Sequence, residues 1–183
     1  MTVLNSETGG KLGEVTDVIV HPTEGRVLGI TLRNSVGEVM ALGAHEMFIG
    51  VDAVMTQGAT SLETWSSESK LADGSLASHD VIGANIVTED GRLIGQVSDV
   101  YISTETPRTF YQVAGSTLQR FLGGGFFISG DLPRVYSTDG ARMIVPPDAE
   151  HTYAASSIEE ILNRPLPPAS TPGDIVTPAP IIS

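Results

Sequence analysis

One short motif occurs twice in this chain, at positions 82 residues apart. Residues 13–18 read Gly-Glu-Val-Thr-Asp-Val, and residues 95–100 read Gly-Gln-Val-Ser-Asp-Val. The same offset produces three further matches: Arg26 with Arg108, Gly43 with Gly125, and residues 56–59 with residues 138–141. These matches need no net insertion between them, and together they indicate an internal duplication of one small structural unit.

Each copy is rich in short β-branched runs separated by turn residues. The predicted strands are 15–20, 27–32, 36–42, 48–55 and 59–62 in the first copy, and 94–102, 109–114, 126–128, 134–137 and 141–145 in the second. Twenty glycines and eleven prolines agree with many turns and few long helices. Because closure removes exposed strand edges, five or six short strands favour a small barrel. The sequence therefore predicts an all-β fold with two tandem small β-barrels.

The predicted domains follow from this pattern. They are a first barrel at 1–65, a serine-rich linker at 66–80, a second barrel at 81–150, a short helix at 151–164 and a tail at 165–183. Ser156 with Glu159, or Ser157 with Glu160, has the spacing of a helix-capping box. The tail contains six prolines and little apolar surface, so we expect it to be extended.

The net charge of the chain limits the class of partner that it can bind. The chain carries 10 Lys+Arg against 22 Asp+Glu, a formal net charge of −12, and both halves are acidic. Since nucleic-acid binders usually need the opposite sign, we expect no nucleic-acid partner. No signal peptide follows Met1, and no apolar run reaches the roughly 20 residues of a membrane span. We expect a soluble, intracellular protein without disulfides, because the chain has no cysteine.

The repeated Gly-x-Val-x-Asp-Val motif, followed by a turn and an apolar strand, resembles the PRC-barrel family. That family includes the cytoplasmic barrel of the photosynthetic reaction-centre H subunit, a barrel of a ribosome maturation factor, and archaeal cell-division adaptors. The resemblance covers most of residues 8–65 and 83–147. It implies two tandem PRC-type barrels and a non-catalytic adaptor that docks on a larger assembly.

The function implied first is an accessory subunit on the cytoplasmic face of a photosynthetic reaction-centre complex, which it would help to assemble. Its partners would be reaction-centre subunits, including an H-like subunit, and its location would be peripheral on the inner or photosynthetic membrane. An acidic surface suits the basic cytoplasmic loops of membrane proteins. The alternative is a soluble adaptor in ribosome maturation or cell division.

Two segments are candidate partner contacts. Residues 121–128 hold three glycines between apolar pairs, which predicts a loop that presents large side chains to a partner, unless these side chains fill the barrel. The tail, if extended, could strap a neighbouring subunit. The predicted contact residues are Phe121, Leu122, Phe126, Phe127, Pro167, Pro168, Ile175 and Val176.

The repeated motif residues are interpreted as structural: Gly13, Asp17, Arg26, Gly95, Asp99 and Arg108. We expect each aspartate to cap a turn or to pair with the arginine of its own copy. The functional alternative is that the aspartates bind a metal ion or an arginine of a partner.

No combination of residues predicts catalysis. The chain lacks the Gly-x-Ser-x-Gly motif and a P-loop, and His45-Glu46 does not continue as a zinc-protease motif. We therefore expect no enzyme activity, no cofactor and no metal. A hydrolase or metal-dependent enzyme that uses His45, Glu46 or Asp99 is the remaining alternative.

Overall fold

In a computed structural model the chain forms two β-sheets, each curled into a barrel-like unit, together with short helices. The structure describes residues 1–21, 23–57, 62–66, 75–104, 108–115, 126–132, 134–137 and 141–163. The predicted all-β fold with two tandem barrels is confirmed. The predicted tail lies outside the described residues.

Barrel 1 has eight strands in the described part of the chain. They are β1 Thr2–Asn5, β2 Lys11–Val20, β3 Val27–Arg33, β4 Val39–Gly43, β5 Met47–Ile49, β6 Ala53–Thr56, β7 Glu63–Thr64 and β8 Leu76–Ala77. The order across the sheet is β5-β6-β1-β2-β3-β4-β7, and β8 pairs with the end of β2. β1 and β6 run parallel, whereas the other pairs are antiparallel. A 3-10 helix, Ala44–Glu46, leads into β5.

Barrel 2 repeats this topology for every strand except β8, which has no counterpart among its described strands. Its described strands are β9 Asn85–Thr88, β10 Leu93–Ile102, β11 Thr109–Ala114, β12 Phe126–Ser129, β13 Val135–Tyr136, β14 Arg142–Val145 and β15 Ala154–Ala155. The order is β13-β14-β9-β10-β11-β12-β15, and the parallel pair is β9 with β14. The described helices are α1 Ser78–Val81, α2 Ala149–Thr152 and α3 Ile158–Asn163. The matching strand paths confirm the duplication.

Strand pairing corrects the alignment of the two copies beyond the motif. Val54 pairs with Val3 in barrel 1, and Met143 pairs with Ile86 in the matching parallel pair of barrel 2. Val54 and Met143 are therefore equivalent, although they lie 89 positions apart instead of 82. The second copy has thus gained residues between the motif and β14.

Two matches expected at the offset of 82 are consequently wrong: Gly43 with Gly125, and residues 56–59 with residues 138–141. The connection between β3 and β4 spans residues 34–38, whereas the one between β11 and β12 spans residues 115–125. An ungapped comparison of the two halves cannot detect this insertion.

The sequence pattern missed the first strand of each barrel. β1 and β9 have four residues each, and their parallel partners lie more than 50 positions further along the chain. Pairing with a segment so far along the chain cannot be inferred from a local pattern, although β1 and β9 also pair with the next strands, β2 and β10. The strand predicted at 48–55 is also wrong, because it is two strands joined by a turn in which Gly50 N–H donates to Ala53 O at 2.9 Å.

The motif glycines allow two strands to approach closely. A Cβ atom on Gly13 would collide with Arg33 O on β3, and a Cβ atom on Gly95 would lie 2.6 Å from Ala114 O on β11. A side chain at either position would push the two central strands of its barrel apart. Backbone packing therefore explains why both copies have glycine at this position.

The larger of the two cores includes residues from both barrels. Barrel 1 encloses five buried aliphatic side chains, those of Val3, Ile30, Leu32, Leu42 and Val54. Barrel 2 encloses a larger cluster around the fully buried Tyr111 and Phe126. That cluster also contains Val20, from the end of β2, and Val81, from α1. Barrel 1 therefore fills part of the interior of barrel 2.

A second set of contacts joins two hairpin ends. Arg26 and Arg108 pair through their backbones in an antiparallel bridge, and the Thr109 hydroxyl donates to Gly25 O at 2.6 Å. Gly25 has φ of 67°, and a Cβ atom there would collide with Gly130 O. We call these five residues, together with Val20, the joint.

The connection between the barrels is partly structured. β8 pairs with β2 where Leu76 faces Val20, and Leu76 also packs against the core of barrel 2. α1 follows directly. β8 and most of α1 fall within residues 66–80, the predicted linker, of which residues 67–74 lie outside the described residues.

The helix α3 is capped by Ser157, as the Ser157–Glu160 spacing predicts, while the Glu160 side chain bonds to the residue before that serine. Ser157 Oγ accepts a hydrogen bond from Glu160 N–H at 3.2 Å, and the Glu160 carboxylate accepts one from Ser156 N–H at 3.1 Å. Ile161 then packs against Phe110 and Ala155 on barrel 2. The cap and this apolar contact explain how so short a helix is held on the barrel.

Candidate docking surface

The predicted contact residues lie in different environments. Phe126 is fully buried in the core of barrel 2, so the predicted partner contact is wrong at this position: its ring fills the barrel. Phe127 is half-buried, and its ring meets that of Tyr101 edge to face with 5.5 Å between centroids. The other predicted contacts lie outside the described residues: Phe121, Leu122, Pro167, Pro168, Ile175 and Val176.

Asp17 attaches the connection between the barrels to β2. Its side chain is 14% exposed, and it accepts hydrogen bonds from Val18 N–H at 2.7 Å and Ser78 N–H at 3.1 Å. It also contacts the Ser78 hydroxyl and forms an ion pair with His79. The other ring nitrogen of His79 lies 3.2 Å from the Asp80 carboxylate. We call Asp17, Ser78 and His79 the clasp.

The clasp shifts the pKa values of both its ionisable groups. Burial by itself raises the pKa of Asp17, but the hydrogen bonds from Ser78 and His79 outweigh burial and leave that pKa below its ordinary value. The hydrogen bond to Asp17 raises the pKa of His79, against a smaller opposing effect of burial, and the charges of Asp17 and Asp80 raise it further. Both shifts favour a carboxylate facing an imidazolium.

Asp99, the matching residue of barrel 2, has fewer contacts. It is exposed, and its carboxylate accepts a hydrogen bond from Val100 N–H at 2.8 Å, as Asp17 does from Val18 N–H. The local backbone bond is therefore common to both copies, and the clasp is a property of barrel 1.

The expected pairs of each motif aspartate with the arginine of its own copy are wrong. Arg26 forms an ion pair with Glu24, its neighbour in the same hairpin end. Arg108 forms one with Asp131, and its Nε lies 2.8 Å from that carboxylate. Each arginine therefore pairs with an acid outside the motif: Glu24 beside Arg26, and Asp131, which follows β12, for Arg108.

The outer face of barrel 1 carries a row of apolar side chains. Phe48 on β5 lies beside Met55 on β6, and Met55 lies beside Leu4 on β1. The residues before these three in their strands pack into the core, so by alternation the three lie on the outer face. Phe48 is 70% exposed, and the other two are half-buried. We call these three residues the barrel 1 row.

A cleft of about 480 Å³ lies beside this row. Its lining includes His45, Glu46, Phe48, Met55 and Thr56. Within the described residues, the buried Thr56 hydroxyl oxygen has no hydrogen-bond partner. The cleft therefore has a mixed lining, in which polar groups lie beside the apolar side chains of the row.

Barrel 2 repeats the row at equivalent positions. Val135, Ile144, Val87 and Leu93 lie side by side across β13, β14, β9 and β10. Val135 is 64% exposed and Leu93 is 62% exposed. In barrel 1 the position of Leu93 is occupied by Lys11. We call these four residues the barrel 2 row.

The described residues contain no group of three or more His, Asp or Glu side chains placed to hold a metal ion. His45 is exposed, and Glu46 is its neighbour in the 3-10 helix before β5. What the described surface offers is apolar area beside charged groups, an arrangement suited to binding.

A family profile for the PRC-barrel domain matches residues 1–57 and 73–151, which cover most of the chain and the main strands of both barrels. The chain belongs to the PRC-barrel family. No curated protein sequence matches it. PRC-barrel domains are generally protein-interaction modules without catalytic activity.

In this PRC-barrel protein, the helices within the described residues are all too short and too polar to cross a bilayer. The family assignment predicted from the repeated motif is confirmed. Sequence analysis missed both rows, although Phe48, Met55, Val135 and Ile144 lie in segments predicted as strands. These side chains are seen to point outward together only once the turn after Gly50 and the two missed strands, β1 and β9, are known. The strand pairing in the structure supplies both.

Proposed function

We propose that this PRC-barrel protein is a non-catalytic docking subunit that binds other proteins through the outer faces of its barrels. The observation that carries the proposal is the barrel 1 row, in which Phe48 is 70% exposed beside two half-buried apolar neighbours. An exposed aromatic side chain that is continuous with other apolar side chains is typical of a protein-binding surface.

The joint supports a docking role. Val20 of barrel 1 is fully buried in the core of barrel 2, and the backbones of Arg26 and Arg108 form a bridge. Contacts of this kind hold the two barrels together in one arrangement. A preorganised surface loses less entropy on binding than two barrels that move independently.

In its most specific form, the proposal places the protein on the cytoplasmic face of a photosynthetic reaction-centre complex, peripheral to the inner or photosynthetic membrane. Two points support this form. The family includes the cytoplasmic barrel of the reaction-centre H subunit, and a net charge of −12 complements the basic loops on the cytoplasmic side of membrane proteins. Reaction-centre subunits, including an H-like subunit, are then the partners.

Further contacts belong to the same proposal. Phe121 and Leu122 follow the third strand of barrel 2, and Phe127 is half-buried on the strand after them. The proline-rich tail, with Ile175 and Val176, would add a strap across a neighbouring subunit.

The test is a mild-detergent pull-down from membranes of the host organism. The affinity tag is placed at the C-terminus, because β1 begins at Thr2 and lies between two strands of the sheet. The chain is used with and without residues 165–183. Recovery of a pigmented membrane complex supports the reaction-centre form, and a smaller yield without the tail supports the strap.

Two other outcomes are informative. Recovery of ribosomal or cell-division proteins instead would reject the reaction-centre form and favour the alternative adaptor role in ribosome maturation or cell division. Recovery of no protein complex from membranes or from the soluble fraction would reject the docking proposal itself.

A further inference from the structure

Among the described residues, β5 is an edge strand whose outer backbone side pairs with no other strand. It lies at one end of the strand order, with β6 as its one neighbour in the described sheet. In the turn that follows, Gly50 N–H donates to Ala53 O, so these two residues form a hydrogen-bonded pair. Hydrogen-bonded and non-hydrogen-bonded pairs alternate along an antiparallel ladder, so the pair of Phe48 with Met55 on β6 is hydrogen-bonded as well. The backbone N–H and C=O groups of Met47 and Ile49 point away from β6, where an added strand would bind them.

The side chains around this edge are suited to contact with a partner. Phe48 projects from the middle of β5 on the outer face, and the cleft of about 480 Å³ lies along the same strand. Val51, in the turn after β5, is 93% exposed. The side chains of a strand added at β5 would alternate between the two faces, so every second one would lie on the same face as Phe48.

The charges near β5 are acidic. Glu46 directly precedes the strand and Asp52 lies in the turn after it, while residues 34–57 contain no lysine or arginine. The equivalent edge strand of barrel 2, β13, has two residues; Arg134 precedes it, and the strand it pairs with begins at Arg142. A positively charged segment is therefore attracted to β5 more than to β13.

We propose that the β5 edge of barrel 1 binds an extended, positively charged segment of a partner protein as an additional β-strand. Met47 and Ile49 supply the backbone hydrogen bonds, Phe48 supplies the apolar contact, and Glu46 and Asp52 select lysine or arginine. This inference rests on the proposed docking function and specifies its surface and the chemistry of its partner.

A second copy of this chain is a less suitable occupant. Two β5 edges placed side by side would bring Glu46 and Asp52 of one copy next to the same acids of the other, and like charges at this distance are destabilising. Self-association through β5 is therefore a result that would overturn the proposal.

The test uses the full chain and a labelled peptide of alternating lysine and valine, seven residues long and capped at both ends. A peptide of alternating glutamate and valine is the charge-reversed probe. We expect binding of the lysine peptide by fluorescence anisotropy, with at least about tenfold weaker binding of the glutamate peptide. Amide hydrogen exchange should slow at Met47 and Ile49 when the lysine peptide is bound.

Three variants locate the site. Phe48→Asp should weaken binding of the lysine peptide by about tenfold or more, because it removes the central apolar contact. Ile49→Pro should weaken it comparably, because it removes an outward N–H that the ladder to β6 does not use. Val36→Asp changes a valine that is 76% exposed in the turn between β3 and β4, outside both rows, and should leave binding unchanged. Thermal unfolding of each variant, measured first, tests whether the fold is retained, since Ile49 packs against the core of barrel 1.

Several results would overturn the proposal: no binding of the lysine peptide by the wild-type chain, equal binding by the Phe48→Asp variant, protection at β13 instead of β5, or dimers that protect β5. The peptide assay is independent of the membrane pull-down. If the Phe48→Asp chain recovers the same complex as the wild type, the edge proposal fails and the docking function stands. If the wild type recovers nothing, the docking function fails whatever the peptide does.

Discussion

The two barrels share one strand order, but they have different side chains at equivalent positions of that order. Strand pairing makes Gly29 equivalent to Phe110, and Ala41 equivalent to Phe127. In barrel 2 the two phenylalanines pack with α3 through Ile161, whereas barrel 1 has small residues at both positions. The duplication therefore preserved the backbone while the surface of each copy was adapted separately.

The cores of the two barrels also differ, and again barrel 2 has the larger side chains. Barrel 1 encloses a small aliphatic cluster, whereas barrel 2 encloses aromatic side chains and also takes in Val20 and Val81 from outside its own strands. Barrel 2 thus encloses the larger core, and barrel 1 contributes Val20 to it through the joint. The edge strand of barrel 1 that carries Phe48 is separated from β2 and its Val20 by β6 and β1.

The largest expected effect concerns the two cores. Phe126→Ala should lower the free energy of unfolding by about 3–5 kcal/mol, because Phe126 is fully buried. Met40, its equivalent in barrel 1, is half-buried, and Met40→Ala should cost only about 1–2 kcal/mol. Urea unfolding of both variants measures the difference. Equal small losses would show that Phe126 is a surface residue, as a partner-contact role requires.

The joint can be broken at one glycine. Gly25→Ala adds a Cβ atom at φ of 67° that collides with Gly130 O, and we expect a loss of about 2–4 kcal/mol together with a broader unfolding transition. Gly37→Ala is the matched control, because Gly37 has φ of 90° and open space around it, so the cost should be about 1 kcal/mol. Similar losses in the two variants, measured by differential scanning calorimetry, would show that the barrels do not depend on this contact.

Replacing the two motif aspartates should change the free energy of unfolding by smaller and unequal amounts. Asp17→Ala removes an acceptor shared by Val18, Ser78 and His79, and we expect a loss of about 1–3 kcal/mol. Asp99→Ala removes an exposed acceptor of one backbone N–H and should cost about 0.5 kcal/mol. Urea unfolding distinguishes them. If Asp99→Ala proves the more costly, the structural account of the clasp is contradicted.

The smallest expected effect is the pH dependence of the clasp. His79 has a raised pKa, so its contribution is complete below the ordinary histidine pKa of about 6.5 and disappears as the pH rises through the raised value. Asp17 has a lowered pKa, so its contribution is complete above about 3.9 and disappears as the pH falls through the lowered value. Stabilisation by the clasp is therefore greatest between these limits.

Because His79 is 69% exposed, we expect its contribution to be below about 1 kcal/mol. His79→Gln should remove the fall in stability as the pH rises above about 6.5, as measured by the midpoint of urea unfolding at each pH. Asp80 faces the same ring, so Asp80→Asn is a useful control that should reduce the slope only slightly. A stability of the wild type that increases over this range would reverse the assigned sign.

The sequence was sufficient for the fold class, the duplication and the family, because all three depend on features that are local and repeated. The Gly-x-Val-x-Asp-Val motif marks one glycine that permits close strand packing and one aspartate that caps its own backbone. Those contacts lie within one hairpin. They therefore recur wherever the motif does.

What the sequence could not supply was non-local. Val20 belongs to the same β-branched run as Val15, and nothing in that run indicates that its last residue enters the other barrel. The outward row of Phe48, Met55 and Leu4 depends on a parallel pairing that spans more than 50 residues. The insertion between β11 and β12 also misaligned every later match in an ungapped comparison.

The most direct test of the central claim is the membrane pull-down repeated with three chains: wild type, Phe48→Asp and Val36→Asp. We predict that the wild type and Val36→Asp recover the same protein complex in equal amounts, while Phe48→Asp recovers about a tenth or less. Normal thermal unfolding of the Phe48→Asp chain confirms that binding, and not folding, is lost. Equal recovery by all three chains would contradict docking through the exposed edge of barrel 1.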